Sequence, residues 1–106
     1  MLFVCNQNRL RSPTAEAVFR EDPRVEARSA GVEPDAPVPV TRELLEWAEL
    51  VFVMEKRQRN RIRAAFPDLY QRTRIVCLYI PDQYDRMDPV LVRLLRQGVE
   101  PHLGEP

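Results

Sequence analysis

The feature that most constrains this chain is an alternation. Short apolar runs, too brief for helices, take turns with longer stretches of helical spacing. Leu2, Phe3 and Val4 form the first run and read as a buried parallel strand. A polar stretch from Cys5 to Arg11 follows. Ser12 and Pro13 then supply an N-cap and a first-turn proline for a helix through Ala15, Ala17, Val18 and Phe19, which Asp22-Pro23 ends. Residues 25–29 alternate weakly and stop at Gly31, which suits a second strand at a sheet edge. Residues 32–39 hold three prolines and read as a loop. Thr41 caps a short helix through Leu44, Leu45, Trp47 and Ala48, and residues 50–54 make the most apolar run, a central strand. A helix over 58–66 turns Ile62 and Phe66 inward and is terminated by Pro67. Residues 75–80 form a fourth strand and 81–87 a polar loop. Asp88-Pro89 opens a last helix with Val90, Leu91, Leu94 and Leu95 inward, Gly98 ends it, and 99–106 read as a loose tail.

Strands separated by helices need right-handed crossovers, so the chain reads as α/β: a three-layer sandwich with a parallel sheet flanked by helices. At 106 residues it forms one domain, 1–106, around a single core region. Such sheets bind ligands at the carboxyl ends of their strands, where the strand order reverses. Cys5 stands at such an end.

Composition removes several classes. The formal net charge is zero, which gives no reason for a nucleic-acid partner. No run of 18 apolar residues exists, so no membrane span is expected, and the apolar start is too short for a signal peptide. The expected location is the cytoplasm. Two cysteines and one histidine make neither a disulfide framework nor a zinc site, and neither a metal nor a cofactor is expected. Lys56, Arg57, Arg59, Arg61, Arg63, Arg72 and Arg74 make one basic segment, for which a solvated helix face is the favoured reading and a docking patch the alternative. Cys77 lies in an apolar strand as a small core residue, and Trp47 packs a helix onto the sheet.

The chemistry sits between the first strand and the first helix. Cys5-Asn6-Gln7-Asn8-Arg9-Leu10-Arg11-Ser12 is cysteine, five residues, arginine, serine. A loop of this length can turn successive backbone N–H groups inward as an anion nest, and the helix start adds further donors. Arg11 can bind two phosphate oxygens side by side, which lysine cannot do with the same geometry. The same field favours a thiolate at Cys5, and Ser12 can donate its hydroxyl to that sulfur. Attack on a phosphate ester also needs a proton for the leaving oxygen. Asp82, Asp85 and Asp88 compete for that role. Asp88 is accounted for as a helix cap, Asp85 has no special context, and Asp82 follows directly off a strand, two residues from Tyr84.

These residues resemble a known family. Phe3-Val4-Cys5 through Asn8, with Arg11-Ser12-Pro13-Thr14-Ala15-Glu16-Ala17, is similar to the signature of the low-molecular-weight protein tyrosine phosphatases. Ser29-Ala30-Gly31 resembles that family's second segment, residues 50–55 its third strand, and Ile80-Pro81-Asp82-Gln83-Tyr84 its acid loop. The resemblance implies a four-stranded parallel sheet of order 2-1-3-4. It implies hydrolysis of phosphate monoesters, protein phosphotyrosine first among them, through a phosphocysteine. Cys5 would be the nucleophile, Arg11 the clamp, Ser12 the thiolate partner, and Asp82 the general acid and later base. Asn6, Gln7, Asn8, Arg9 and Leu10 would bind the phosphoryl group, Tyr84 would line the cleft, and Asn8 with Ser29 would support the loop. The partners implied are a phosphorylated protein or small aryl phosphate, with inorganic phosphate or sulfate in the Cys5–Arg11 loop. Three departures stand out: Gln7 replaces glycine, Leu10 replaces a second cysteine, and Gln83 replaces proline. An arsenate reductase on the same scaffold and a non-catalytic module for phosphorylated anions are the competing readings. The implied strand order puts a strand between Cys5 and Cys77, too far apart to bridge.

Overall fold

Side chains on both faces of Leu2, Phe3, Val4, Val51, Phe52 and Val53 are fully buried, so these two segments must occupy the centre of a sheet covered on both sides. The structure, a computed structural model, describes residues 1–103. It runs β1 (Leu2–Cys5), α1 (Arg11–Arg20), β2 (Arg28–Gly31), α2 (Arg42–Trp47) and β3 (Val51–Val53), then α3 (Lys56–Ala65), α4 (Pro67–Tyr70), β4 (Ile75–Cys77) and α5 (Pro89–Val99), closed by a 3-10 turn at Glu100–His102. The four strands are parallel in the order β2-β1-β3-β4. Val4 pairs with Ala30 on one side and Val53 on the other, and Val53 pairs with Cys77.

The two-residue period of the strands divides the core. Phe3, Cys5 and Phe52 face α1 and α5, where they meet Ala15, Phe19, Leu91, Leu95 and Val99. Phe3 stacks on Phe19 and on Phe52 at 5.6 and 5.5 Å between centroids. Leu2, Val4, Val51 and Val53 face the other way, toward Leu45, Ile62 and Leu69 of α2, α3 and α4. Each such side chain contributes about 1.5–3 kcal/mol on burial, so a polar substitution at Phe3 or Val4 would unseat a whole layer.

Four local expectations are corrected. Ser12 is not the cap of α1: Leu10 holds that position without a side-chain bond, and Ser12 lies in the first turn with its hydroxyl turned toward Cys5. Pro67 does not simply end a helix. It opens the four-residue α4, because a first-turn position needs no N–H from it. Gly98 sits inside α5 rather than after it, where a Cβ would lie 2.7 Å from Leu78 Cδ2. The expected loose tail is docked as far as it is described. Val99 is buried, Leu103 packs on the core, and His102 meets Phe52 edge-on at 5.5 Å. Residues 104–106 of that tail lie outside the described residues.

β4 is shorter than expected for a reason that matters to the site. Leu78 N–H donates to Val53 O and Ile80 N–H to Met54 O, but Tyr79 between them has φ 56°, a left-handed conformation that breaks the extended run. The chain turns there over the carboxyl end of the sheet. Cys77 is half-buried at this edge rather than in the core, and belongs to the face opposite Cys5. Trp47 is half-buried, with the Arg28 guanidinium 4.4 Å over its ring. The basic segment is partly tied down: Arg57 pairs with Glu55, Arg61 with Glu33, and Arg63 lies over Tyr70. No helix among the described residues is long and apolar enough to cross a membrane.

Candidate active site

The loop between β1 and α1 is held from outside. Val32 N–H donates to Cys5 O and Glu33 N–H to Asn6 O, both at 3.0 Å. Gly31 presses against the loop so closely that a Cβ would lie 2.7 Å from Asn6 O and 2.8 Å from Asn8 N. The backbone N–H groups of residues 6–11 make no hydrogen bond among the described residues. Unpaired amides are costly unless something accepts from them, and they occur here in succession at a helix N-terminus.

Asn8 is the internal brace. Its φ of 57° is left-handed, a conformation asparagine tolerates better than most residues. Its amide donates to Ser12 Oγ at 3.0 Å and Ser29 Oγ at 2.9 Å, and Ser29 donates in turn to Glu16. Ser12 Oγ lies 3.0 Å from Cys5 Sγ and also reaches Ala30 O at 3.2 Å. A hydroxyl has one proton. With a thiol at Cys5 it can face Ala30 O; with a thiolate it must turn to the sulfur.

Arg11 is the largest fully buried side chain. Its Nη1 donates to Glu55 Oε1 at 2.6 Å and to Ile80 O at 2.8 Å, while its Nε lies 3.7 Å from Asp82 Oδ1. Nε and Nη2 make no hydrogen bond among the described residues, and they are the parallel edge of the guanidinium that grips two oxygens. The hydrogen bond from Arg11 holds the Glu55 carboxyl below the usual glutamate range, so Glu55 is anionic at neutral pH.

A pocket of about 130 Å³ opens over this floor, walled by Cys5, Asn6, Gln7, Arg9, Leu10, Arg11 and Asp82. It has room for a phosphoryl group and little more. The side chain of Asn6 turns aside to accept from Gln58 Nε2 at 2.8 Å. Asp88 caps α5 through Val90 N–H. Tyr84 is half-buried against the α1–α5 core and does not line this small pocket. The exposed aromatic nearest the acid loop is Tyr79, 63% exposed, which shares a neighbouring hollow with Glu55, Lys56 and Pro81.

Three supporting residues escaped the sequence reading. Glu55 orients Arg11. Gln58, fully buried, accepts from Glu55 N–H while donating to Asn6, so the start of α3 is fastened to the loop. Thr14 donates to Leu10 O at 2.6 Å and accepts from Met87 N–H at 3.0 Å, which ties the acid loop to the loop below it. Only Glu55 gave a signal, as the first charged residue past the central strand's carboxyl end.

A cysteine beneath unpaired amides, beside a buried and fixed arginine past the end of the first parallel strand, defines an α/β protein with a cysteine–arginine loop. The family model described as low molecular weight phosphotyrosine protein phosphatase matches residues 1–49. No curated protein matches the chain in sequence. Among solved structures it is similar to a mutant of YwlE from Bacillus subtilis, 29% identical over 95% of this chain and 96% of that one, TM-score 0.68. It is also similar to a cysteine-to-serine mutant of the YwlE arginine phosphatase with a phosphorylated active-site serine, 28% identical over 94% and 93%, TM-score 0.68. The tyrosine phosphatase Wzb from Escherichia coli, in complex with phosphate, shares the fold at 22% identity over 95% and 93%, TM-score 0.74. The match to that family model thus spans the first 49 residues, and the fold throughout is shared with these solved structures.

Proposed function

We propose that the protein hydrolyses phosphate monoesters, protein phosphotyrosine first among them, in the cytoplasm through a phosphocysteine at Cys5. The observation that carries this is the floor of the pocket: Cys5 Sγ, 3.0 Å from Ser12 Oγ, beside the edge of a buried Arg11 that makes no hydrogen bond among the described residues. In the first step the thiolate attacks phosphorus. A P–S bond forms, the P–O bond to the leaving group breaks, and Asp82 gives its proton to the departing oxygen. The loop amides and Arg11 hold the three equatorial oxygens as charge spreads over them. In the second step Asp82 takes a proton from water, the water oxygen attacks phosphorus, and the sulfur leaves as a thiolate that Ser12 stabilises. Phosphate is released. Inorganic phosphate or sulfate is expected in the same loop, and the phosphate complex of the similar Wzb structure supports that reading.

A second reading has a specific observation behind it. The similar structure titled an arginine phosphatase is 28% identical to this chain, so phosphoarginine is the competing substrate. An arsenate reductase using its own two thiols is less well supported, because Cys5 and Cys77 lie on opposite faces of the sheet. The test is turnover of an aryl phosphate, a phosphotyrosine peptide and a phosphoarginine peptide by wild type and Cys5→Ser. The account expects ester turnover by wild type and none by Cys5→Ser. Turnover of phosphoarginine alone would favour the second reading, and equal activity in both proteins would refute both.

A further inference from the structure

The loop carries two arginines, and the mechanism above uses the side chain of only one. Arg11 does not meet an incoming phosphate as a free cation. Glu55 lies 2.6 Å and Asp82 3.7 Å from its guanidinium. Part of its charge is therefore already answered by the Glu55 carboxylate when a phosphoryl dianion enters. Apart from Arg11, Arg9 is the one cation in the pocket wall. It is exposed at the top of the loop and makes no ion pair or hydrogen bond among the described residues. Nothing in the fold requires it: it packs in neither half of the core, and the helix cap falls to Leu10. The pocket's about 130 Å³ holds little beyond the phosphoryl group, so the rest of the substrate must lie across the rim that Arg9 occupies.

We infer that Arg9 is a specificity residue whose guanidinium pairs with a second anionic group beside the scissile phosphate. The preferred substrates are phosphotyrosine segments with a carboxylate residue next to the phosphorylated side chain. The same cation disfavours a phosphorylated guanidinium, which would bring positive charge against it. This rests on the phosphatase reading and deepens it.

The experiment compares kcat/KM for two phosphotyrosine peptides that differ only in Glu or Ala beside the phosphotyrosine. Wild type should prefer the acidic peptide by about fivefold, the scale of a solvent-exposed ion pair, and salt should shrink the preference. Arg9→Gln should bring the ratio to near one, and Arg9→Glu should invert it. A wild-type ratio near one, or a preference that survives in Arg9→Gln, overturns the proposal. If wild type turns over neither peptide, the phosphatase reading fails separately. Arg9 is then judged by protection of Cys5 from iodoacetate. Carboxyphenylphosphonate should protect better than phenylphosphonate in wild type but not in Arg9→Gln, and equal protection in wild type would overturn the proposal.

Discussion

Glu55→Gln removes one negative charge from behind Arg11 while keeping an oxygen that can accept its hydrogen bond. The Arg11 side chain is 2% exposed and that of Glu55 31%, so the pair is neither a surface bridge nor a fully buried one. Exposed pairs are worth at most about 1 kcal/mol, and breaking a buried pair costs about 3–5 kcal/mol. With the acceptor retained and one partner partly solvated, the loss should be about 1–2 kcal/mol, or roughly 5–15 °C in Tm. Glu55→Ala should cost about 1 kcal/mol more, because Glu55 is also the N-cap of α3. The pH dependence has a defined sign. Arg11 lowers the folded-state pKa of Glu55, so the unfolded chain takes up the proton more readily. The contribution is complete above the unfolded value of about 4.3 and is lost as pH falls through the folded one. Urea melts at neutral pH should separate wild type from Glu55→Gln, and the gap should narrow in acid. Turnover should fall as well, since a neutral amide holds Arg11 less firmly than the carboxylate does, with Ile80 O as its other acceptor. Equal stability and turnover at neutral pH, or a gap that persists in acid, would refute the claim that Glu55 holds the clamp.

Gly31→Ala should destabilise by about 1–3 kcal/mol and impair turnover together, because its methyl would meet backbone of the Cys5–Arg11 loop at 2.7–2.8 Å. An intact fold with normal kinetics would contradict that contact. Asp82→Asn should slow esters with poor leaving groups more than activated aryl esters, read from kcat/KM across a leaving-group series, whereas a uniform loss would remove Asp82 from the acid role. Peroxide should carry Cys5 to the sulfenic acid and beyond, seen by mass spectrometry. A Cys5–Cys77 disulfide as the main product would contradict the placement of the two residues on opposite sheet faces.

How far the sequence could be read depended on whether the deciding interaction was local. β1, α1 and β3 were legible because apolar runs are bounded by polar or capping residues. Cys5 and Arg11 were legible because strand, loop and helix start adjoin in sequence. β4 was read too long because nothing in Leu78-Tyr79-Ile80 announces a left-handed Tyr79; two backbone bonds to β3 impose it. Pro67 was read as a stop, and α3 does end before it, though the same proline also opens α4; Gly98 was read as a stop and lies inside α5. The residues that support the site were hidden by distance along the chain. Glu55 is 44 positions from Arg11, Gln58 is 52 from Asn6, and Met87 is 73 from Thr14.

The central claim is that phosphorus is transferred to Cys5 sulfur before it reaches water. Asp82→Asn slows the second step, since that step needs a base, so the intermediate should accumulate in this variant with an activated aryl phosphate. Rapid quenching followed by peptide mapping under conditions that preserve a thiophosphate is the direct measurement. The account predicts a phosphoryl group on the peptide carrying Cys5, formed with a burst of aryl alcohol and absent from Cys5→Ala. A full burst with no phosphoryl group on Cys5, or one carried by any other residue, would contradict it.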